Sequence, residues 1–155
     1  MVMKYWLMKS EPDVFSIDNL AKDKTTWWEG VRNYQARNFM MKDMEVGDEV
    51  LFYHSNAEPS GIAGLARVSK AAAPDKTQFD KKSEYFDPKA TLEKPNWFCV
   101  QVEYVAKFPE VISLQDLRDN EKLADMLVLK KGQRLSVQPV DKKHFEAVKK
   151  MGGKK

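Results

Sequence analysis

Apolar residues in this chain come in short bursts, each cut off by turn-forming residues, and that spacing limits the folds open to it more than any other feature. Lys4-Tyr5-Trp6-Leu7-Met8-Lys9 is bulky and aromatic, and Ser10-Glu11-Pro12-Asp13 ends it at once, which predicts a short buried strand. Ser16 suits the N-cap of a brief helix through Ala21, and Asn33 that of a second helix whose Ala36, Phe39, Met40 and Met44 share one buried face. Glu49 to His54 and Ile62 to Val68 read as the next strands, parted by a loop from Ser55 to Gly61. A polar, turn-rich excursion with one helical turn is expected from Ala71 to Asn96, then a strand from Trp97 to Val105. Short helices over Leu114 to Leu117 and Leu123 to Leu129, a strand from Leu135 to Val140, and a helix capped by Asp141 that buries Phe145 and Val148 complete the pattern. Strands fall too unevenly for a series of parallel crossover units. The expected class is α+β, a strongly curved mixed sheet or barrel flanked by short helices.

At 155 residues the chain suits a single domain, expected over residues 2–151 with a flexible Lys-rich tail at 152–155. Apolar stretches such as Val50 to Tyr53 fall far short of the roughly 20 residues a bilayer crossing needs, and the first residues carry no secretory pattern. A cytoplasmic location is expected, or a nuclear one in a eukaryote. The lone Cys99, mid-strand between Phe98 and Val100, is expected to be a core thiol. The net charge of +3 hints at a polyanionic partner, but six lysines against two carboxylates after residue 140 supply +4, leaving −1 for the rest. Nucleic-acid contact would have to come from a local patch or the tail.

Signals for catalysis are thin. Only His54 and His144 could serve as imidazole bases. His144, beside Lys142 and Lys143, is expected at the solvated surface, and His54, at the end of a buried strand, is expected to be a hydrogen-bonded structural histidine. Gly61-Ile62-Ala63-Gly64 lacks the spacing of a phosphate-binding loop, and no acidic or Cys/His set has metal-ligand spacing. No cofactor is expected.

What stands out is polar residues set beside aromatic ones at three element ends: Lys9-Ser10-Glu11-Pro12, Trp27-Trp28-Glu29-Gly30-Val31-Arg32-Asn33-Tyr34, and Tyr53-His54-Ser55-Asn56. Brought together, they would form a slot with flat apolar walls and a few fixed donors and acceptors, which is what a planar heteroaromatic ring requires. The alternative from spacing alone is that Trp6, Trp28 and Trp97 are core and the polar residues caps.

Over nearly its whole length the sequence resembles EVE-domain proteins, the branch of the PUA-like superfamily that includes the thymocyte nuclear protein family and small bacterial homologues. The resemblance rests on Tyr5 to Pro12, on Trp28 to Phe39, and on Gly47-Asp48 with Phe52 to Ser55. It continues through Pro59, Gly61 to Gly64, Asp87-Pro88-Lys89, Trp97 and Gly132 to Val137, with departures at Ala73, Phe86 and Asn96. It implies a PUA-like barrel-type sheet and a non-catalytic module holding a nucleobase, expected to be a modified one, of DNA or RNA. It also implies that any nuclease or other effector is a separate protein.

On this reading Trp28 and Trp97 are walls, with Val31, Tyr53 and His54 beside them. Lys9, Arg32 and Arg37 face phosphate, and Ser10, Asn33, Ser55 and Asn56 read the base edge, flanked by Glu11 and Pro12. Two other readings compete: a hydrolase of modified nucleosides using Lys9 and Glu11 as acid and base, which needs a depressed lysine pKa, and a protein interaction module, which needs an exposed apolar patch.

Overall fold

A computed structural model describes residues 3–132 and 135–153. Its frame is a six-stranded mixed sheet in the order β2-β5-β4-β3-β1-β6, from β1 (Tyr5–Ser10), β2 (Thr25–Trp27), β3 (Glu49–His54), β4 (Gly61–Pro74), β5 (Phe98–Ser113) and β6 (Val137–Val140). All five expected strands appear, β1, β3 and β6 within two residues of their expected bounds, and β2, three residues long, is the addition. β1 and β3 run parallel and β1 and β6 antiparallel. The sheet is open, with β2 and β6 as its edges. Helices α1 (Ile17–Asp23), α2 (Tyr34–Asn38), α3 (Leu114–Asp119) and α4 (Lys142–Gly153) cover it.

Strand alternation divides the core in two, because successive side chains point to opposite faces. On the front face Trp6, Met8, Val50 and Phe52 pack with Ile17 and Leu20 of α1, Ala36 of α2, and Met40 and Met44 just beyond it. On the back face Leu7, Leu51 and Tyr53 pack with Leu117 of α3 and Phe145 and Val148 of α4. Ser16 caps α1 in a reciprocal capping box with Asn19. Asn33 caps α2, its side-chain oxygen accepting from Ala36 N at 2.9 Å. Residues Phe39–Asp43 then widen into a single π-helical turn, closed by Met44 N donating to the Phe39 carbonyl at 2.9 Å. Phe39 is only partly buried and packs tilted against Trp6 with ring centres 5.4 Å apart.

Several local expectations are corrected. β4 does not end at Val68. It runs on through Ala71-Ala72-Ala73, because Ala73 and Pro74 pair with Cys99 and Phe98, and tertiary pairing overrides the weak strand propensity of alanine. β5 likewise continues past Val105 to Ser113. Its pairing with β4 jumps from Gly64↔Lys107 to Ile62↔Ile112, so the bulge between them takes up Pro109, which could not join a regular ladder. Gly64 sits beside that jump, where any Cβ would collide with the Ala106 carbonyl. The segment Leu123 to Leu129 forms two 3-10 turns rather than one helix. His144, expected in solvent, is 3% exposed, and its Nε2 has no hydrogen-bond partner. α4 is amphipathic, and its inward face takes in residue 144 along with Phe145 and Val148. Gly152 and Gly153, expected in the tail, complete α4, while Lys154 and Lys155 lie outside the described residues, as do Gln133 and Arg134.

Candidate functional site

The expected site residues form two groups. The first stands at the paired ends of β1 and β3, where Lys9 is in register with Tyr53 and Ser10 with His54. Ser55 N donates to the Ser10 carbonyl at 3.0 Å, so the two chains stay together past the last pair. Ser10 Oγ donates to the Phe15 carbonyl at 2.6 Å, which closes the turn through Glu11 and Pro12. Asn56, in the left-handed region at φ 50°, donates through Nδ2 to Glu11 Oε1 at 3.1 Å and ties the two strand exits to each other. His54 Nε2 accepts from Ile17 N at 3.1 Å, at the first turn of α1. Burial holds the His54 imidazole below its ordinary pKa, against the pull of Asp18, so the ring is a neutral acceptor.

Alternation separates members of this group. Ser10 and His54 belong to the front face with Phe52, whereas Lys9 lies on the back, its Nζ 5.6 Å from the centre of the Tyr53 ring. Burial pulls the Lys9 amine below its ordinary pKa. Among the described residues Lys9 and Glu11 form no ion pair.

The second group is the segment from Trp28 to Arg37 together with the excursion between β4 and β5. Trp28 N donates to the Val100 carbonyl at 2.9 Å, and the indole is 7% exposed. Its ring meets Phe52 edge-on at 5.4 Å, and Phe52 meets His54 the same way at 5.7 Å, so three rings lead from this group to the strand ends. Val31 packs partly buried on the same front core. Gly30, at φ +87°, lets the chain turn beneath Tyr85; a Cβ there would stand 2.8 Å from the phenol ring.

Arg32 is held by the protein itself. It bonds the Tyr85 carbonyl through Nε and Nη2, the Val31 carbonyl and Asp75 Oδ2 through Nη1, and Thr77 Oγ1 through Nη2. All five of its N–H groups are thus used, and the anion it faces is Asp75, 3.1 Å away. Its guanidinium also lies 5.1 Å from the Trp97 ring centre and 5.4 Å from that of Tyr85. Trp97 in turn stacks on Tyr34 at 4.8 Å and donates through Nε1 to Asp87 Oδ2 at 2.8 Å. Arg37 bonds Asn38 Oδ1 and both oxygens of Asn96.

Sequence reasoning missed the residues that hold this second group. Asp75, 1% exposed, accepts from Gly30 N at 2.8 Å, Thr77 N at 2.8 Å, the Thr77 hydroxyl and Arg32. Burial alone would raise its pKa, but these donors outweigh burial and hold the carboxyl below the usual range. Gln78, fully buried, staples the ends of the excursion: Nε2 donates to the Asp75 and Trp97 carbonyls, and Oε1 accepts from Asn96 N and Trp97 N. The one available signal was the Asp75-Lys76-Thr77 turn pattern. Asp87 is held below its ordinary pKa by the Asn96 side chain, the Lys89 amide and the Trp97 indole.

Three polar groups near these walls have no protein partner among the described residues: the Ser55 hydroxyl, the Asn33 side-chain nitrogen and the Trp28 indole N–H. Burial pushes the Tyr85 phenol up, and Glu84 and Glu11 push the same way, which places Glu11 of the strand ends in the electrostatic neighbourhood of the excursion. Among the described residues no group of three or more His, Cys, Asp or Glu could hold a metal ion. Cys99 is buried, and burial with the Asp75 and Glu29 charges pushes its thiol up to about 12. Two concavities lie away from these walls, about 170 Å³ beside Gln138 and His144 and about 420 Å³ between Ile112 and Met151. No described helix is long and apolar enough to cross a membrane.

Comparison with known proteins agrees with this architecture. Human thymocyte nuclear protein 1 is 40% identical over 163 residues, covering 93% of this chain and 72% of the relative. A hypothetical protein from Leishmania major superposes with a TM-score of 0.93 at 51% identity, over 97% of this chain and 95% of that one. The human THYN1 protein in complex with 5-methylcytosine-containing DNA superposes with a TM-score of 0.89 at 40% identity, over 98% of this chain and 99% of that one. The family model described as the EVE domain matches residues 4–151, almost the whole sheet and its helices, and the chain belongs to that family.

Proposed function

We propose that this chain binds nucleic acid and holds one modified nucleobase, with 5-methylcytosine in DNA as the leading ligand, and does no chemistry on it. The observation that carries the reading is the human relative solved with 5-methylcytosine-containing DNA, whose fold matches this one nearly end to end. The site supports it in kind. The Trp28 indole, 7% exposed, and the partly buried Val31 give an apolar lining, and the Ser55 hydroxyl and the Asn33 side-chain nitrogen are two polar groups without a partner among the described residues. Ser10, Asn56, Glu11 and Pro12 shape the strand-end rim. Trp97 and Arg32 serve behind it as a rigid support, and Tyr53 carries Lys9 on the reverse face.

Magnitudes set the design. Turning a base out of its stack costs a few kcal/mol, and stacking on an aromatic surface returns about 1 to 3 kcal/mol, so capture alone binds weakly. Phosphate contacts must supply the remainder, which makes binding fall with salt. With Arg32 engaged by Asp75, the cations beside the site are Arg37 and the exposed lysines of the excursion, Lys76, Lys81, Lys82, Lys89 and Lys94, while Lys9 and the α4 lysines lie on the other face. The absence of turnover is supported by a neutral His54 whose Nε2 is occupied, a Lys9 and Glu11 that do not pair, and a buried thiol.

The test is a titration of wild type and Trp28→Ala with oligonucleotides bearing cytosine or 5-methylcytosine at two salt concentrations, with mass spectrometry of the recovered strands. Tighter binding to the methylated strand, lost in the variant and weakened by salt, with strands recovered intact, supports the reading. Equal affinities throughout, or a released product, would refute it.

A further inference from the structure

Resting on that reading, we infer that Tyr34 is a second stacking surface, which takes an unpaired base adjacent in the strand to the captured one. Tyr34, Trp97, Arg32 and Tyr85 form one pile: Tyr34 on Trp97 at 4.8 Å and 20°, Arg32 at 5.1 Å from Trp97 and 5.4 Å from Tyr85. Arg32 is half-buried within this group, and Tyr34, at one end of it, is 56% exposed.

Trp97 takes one face of Tyr34, and the residue is still more than half exposed. Arg37 is 4.7 Å from the Tyr34 ring centre and 5.8 Å from that of Trp97. A guanidinium on the outer face would stand from Trp97 at nearly the sum of the Tyr34–Arg37 and Tyr34–Trp97 separations, far beyond 5.8 Å. Arg37 therefore stands off the axis of the stack and is not centred over the outer face. Asn96 Nδ2 donates to the Tyr34 hydroxyl at 3.3 Å and helps to fix the ring plane.

An exposed, oriented phenol ring backed by an indole is suited to a base rather than to an aliphatic group, because every base presents a π-face and stacking is tolerant of sequence. Arg37 adds the charge. Four hydrogen bonds to Asn38 and Asn96 hold it and leave one N–H on Nη2 free among the described residues to meet a phosphate. Asn33, whose free side-chain nitrogen belongs to the capture site, and Tyr34, the first residue of α2, are adjacent in the chain.

The experiment uses short single strands with 5-methylcytosine at the centre and 2-aminopurine on either side, and a matched strand in which both neighbours are abasic. Wild type, Tyr34→Leu, Tyr34→Phe and Trp28→Ala are compared by affinity and by 2-aminopurine fluorescence, with thermal melts to confirm folding. Tyr34→Leu should weaken binding of the intact strand by roughly 5- to 140-fold and abolish the fluorescence change. Tyr34→Phe should retain both, and the abasic strand should bind wild type and Tyr34→Leu alike. If Tyr34→Leu binds the intact strand like wild type with the same fluorescence change, the platform is refuted while loss in Trp28→Ala leaves base capture standing. If Trp28→Ala binds like wild type and Tyr34→Leu does not, base capture falls and the stacking surface stands.

Discussion

Asp75 is the residue on which the second half of the site is hung, and Asp75→Asn is the substitution that shows it. The carboxylate accepts from the Gly30 and Thr77 amides, the Thr77 hydroxyl and Arg32. An asparagine in the same place keeps one oxygen for Thr77, but its NH₂ would point donors at the Gly30 N–H and the Arg32 guanidinium. A buried donor left unpaired costs about 1 to 3 kcal/mol. The charge lost opposite Arg32 adds less than a fully buried pair would, because Arg32 is 22% exposed. A total near 3 kcal/mol follows, or roughly 6 to 12 °C in Tm for a chain of this size. Guanidinium unfolding measures it, and amide exchange locates it: the Gly30 and Thr77 amides should lose protection while those of β1 and β3 keep theirs. Because the folded pKa lies below the ordinary value, the contribution is complete above about pH 4 and is lost as pH falls through the folded pKa. The gap between wild type and variant should therefore narrow in acid. A loss under about 0.5 kcal/mol, or uniform loss of protection across the sheet, would refute the assignment of Asp75 as a local clamp.

Other substitutions probe other parts of the fold. The His54 pKa is depressed by burial, so its contribution to stability is complete above about 6.5 and is lost as pH falls toward the folded value. His54→Gln, which can still accept from Ile17 N, should remove the pH dependence of Tm between 7 and 5; an unchanged slope would assign it elsewhere. His144 has a buried Nε2 with no partner, so His144→Leu should leave stability within about 1 kcal/mol of wild type or raise it, as measured by urea unfolding. A loss above about 2 kcal/mol would mean that the imidazole makes a necessary hydrogen bond. Gly64→Ala forces a Cβ into the Ala106 carbonyl and should cost more than 2 kcal/mol, checked by the same unfolding curves.

Local signals in the sequence were good guides where local physics decides. The aromatic run ended by Ser10 to Asp13 gave β1, Ser16 and Asn33 proved to be the caps of α1 and α2, and the apolar spacing of Ala36, Met40 and Met44 gave their common burial. What the sequence hides is anything decided across distance. Arg32 looked free for phosphate because its carboxylate is Asp75, 43 residues along the chain. Lys9 and Ser10 are adjacent and looked like one site, yet alternation sends them to opposite faces. Tyr34 read as part of a helix start, and its exposure depends on Trp97 arriving from beyond the excursion to stack on its inner side. Gln78 sits in a polar stretch with no periodicity, and only the meeting of Asp75 with Asn96 and Trp97 buries it.

Base capture at Trp28 is tested most directly by the dissociation constants of wild type for two otherwise identical strands, one with a single 5-methylcytosine and one with cytosine, at one salt concentration. Burying the extra methyl group against Trp28 and Val31 should favour the methylated strand by about fourfold or more. Trp28→Ala should bring the two constants together. Constants that are equal for wild type, or a preference that survives in Trp28→Ala, would contradict it.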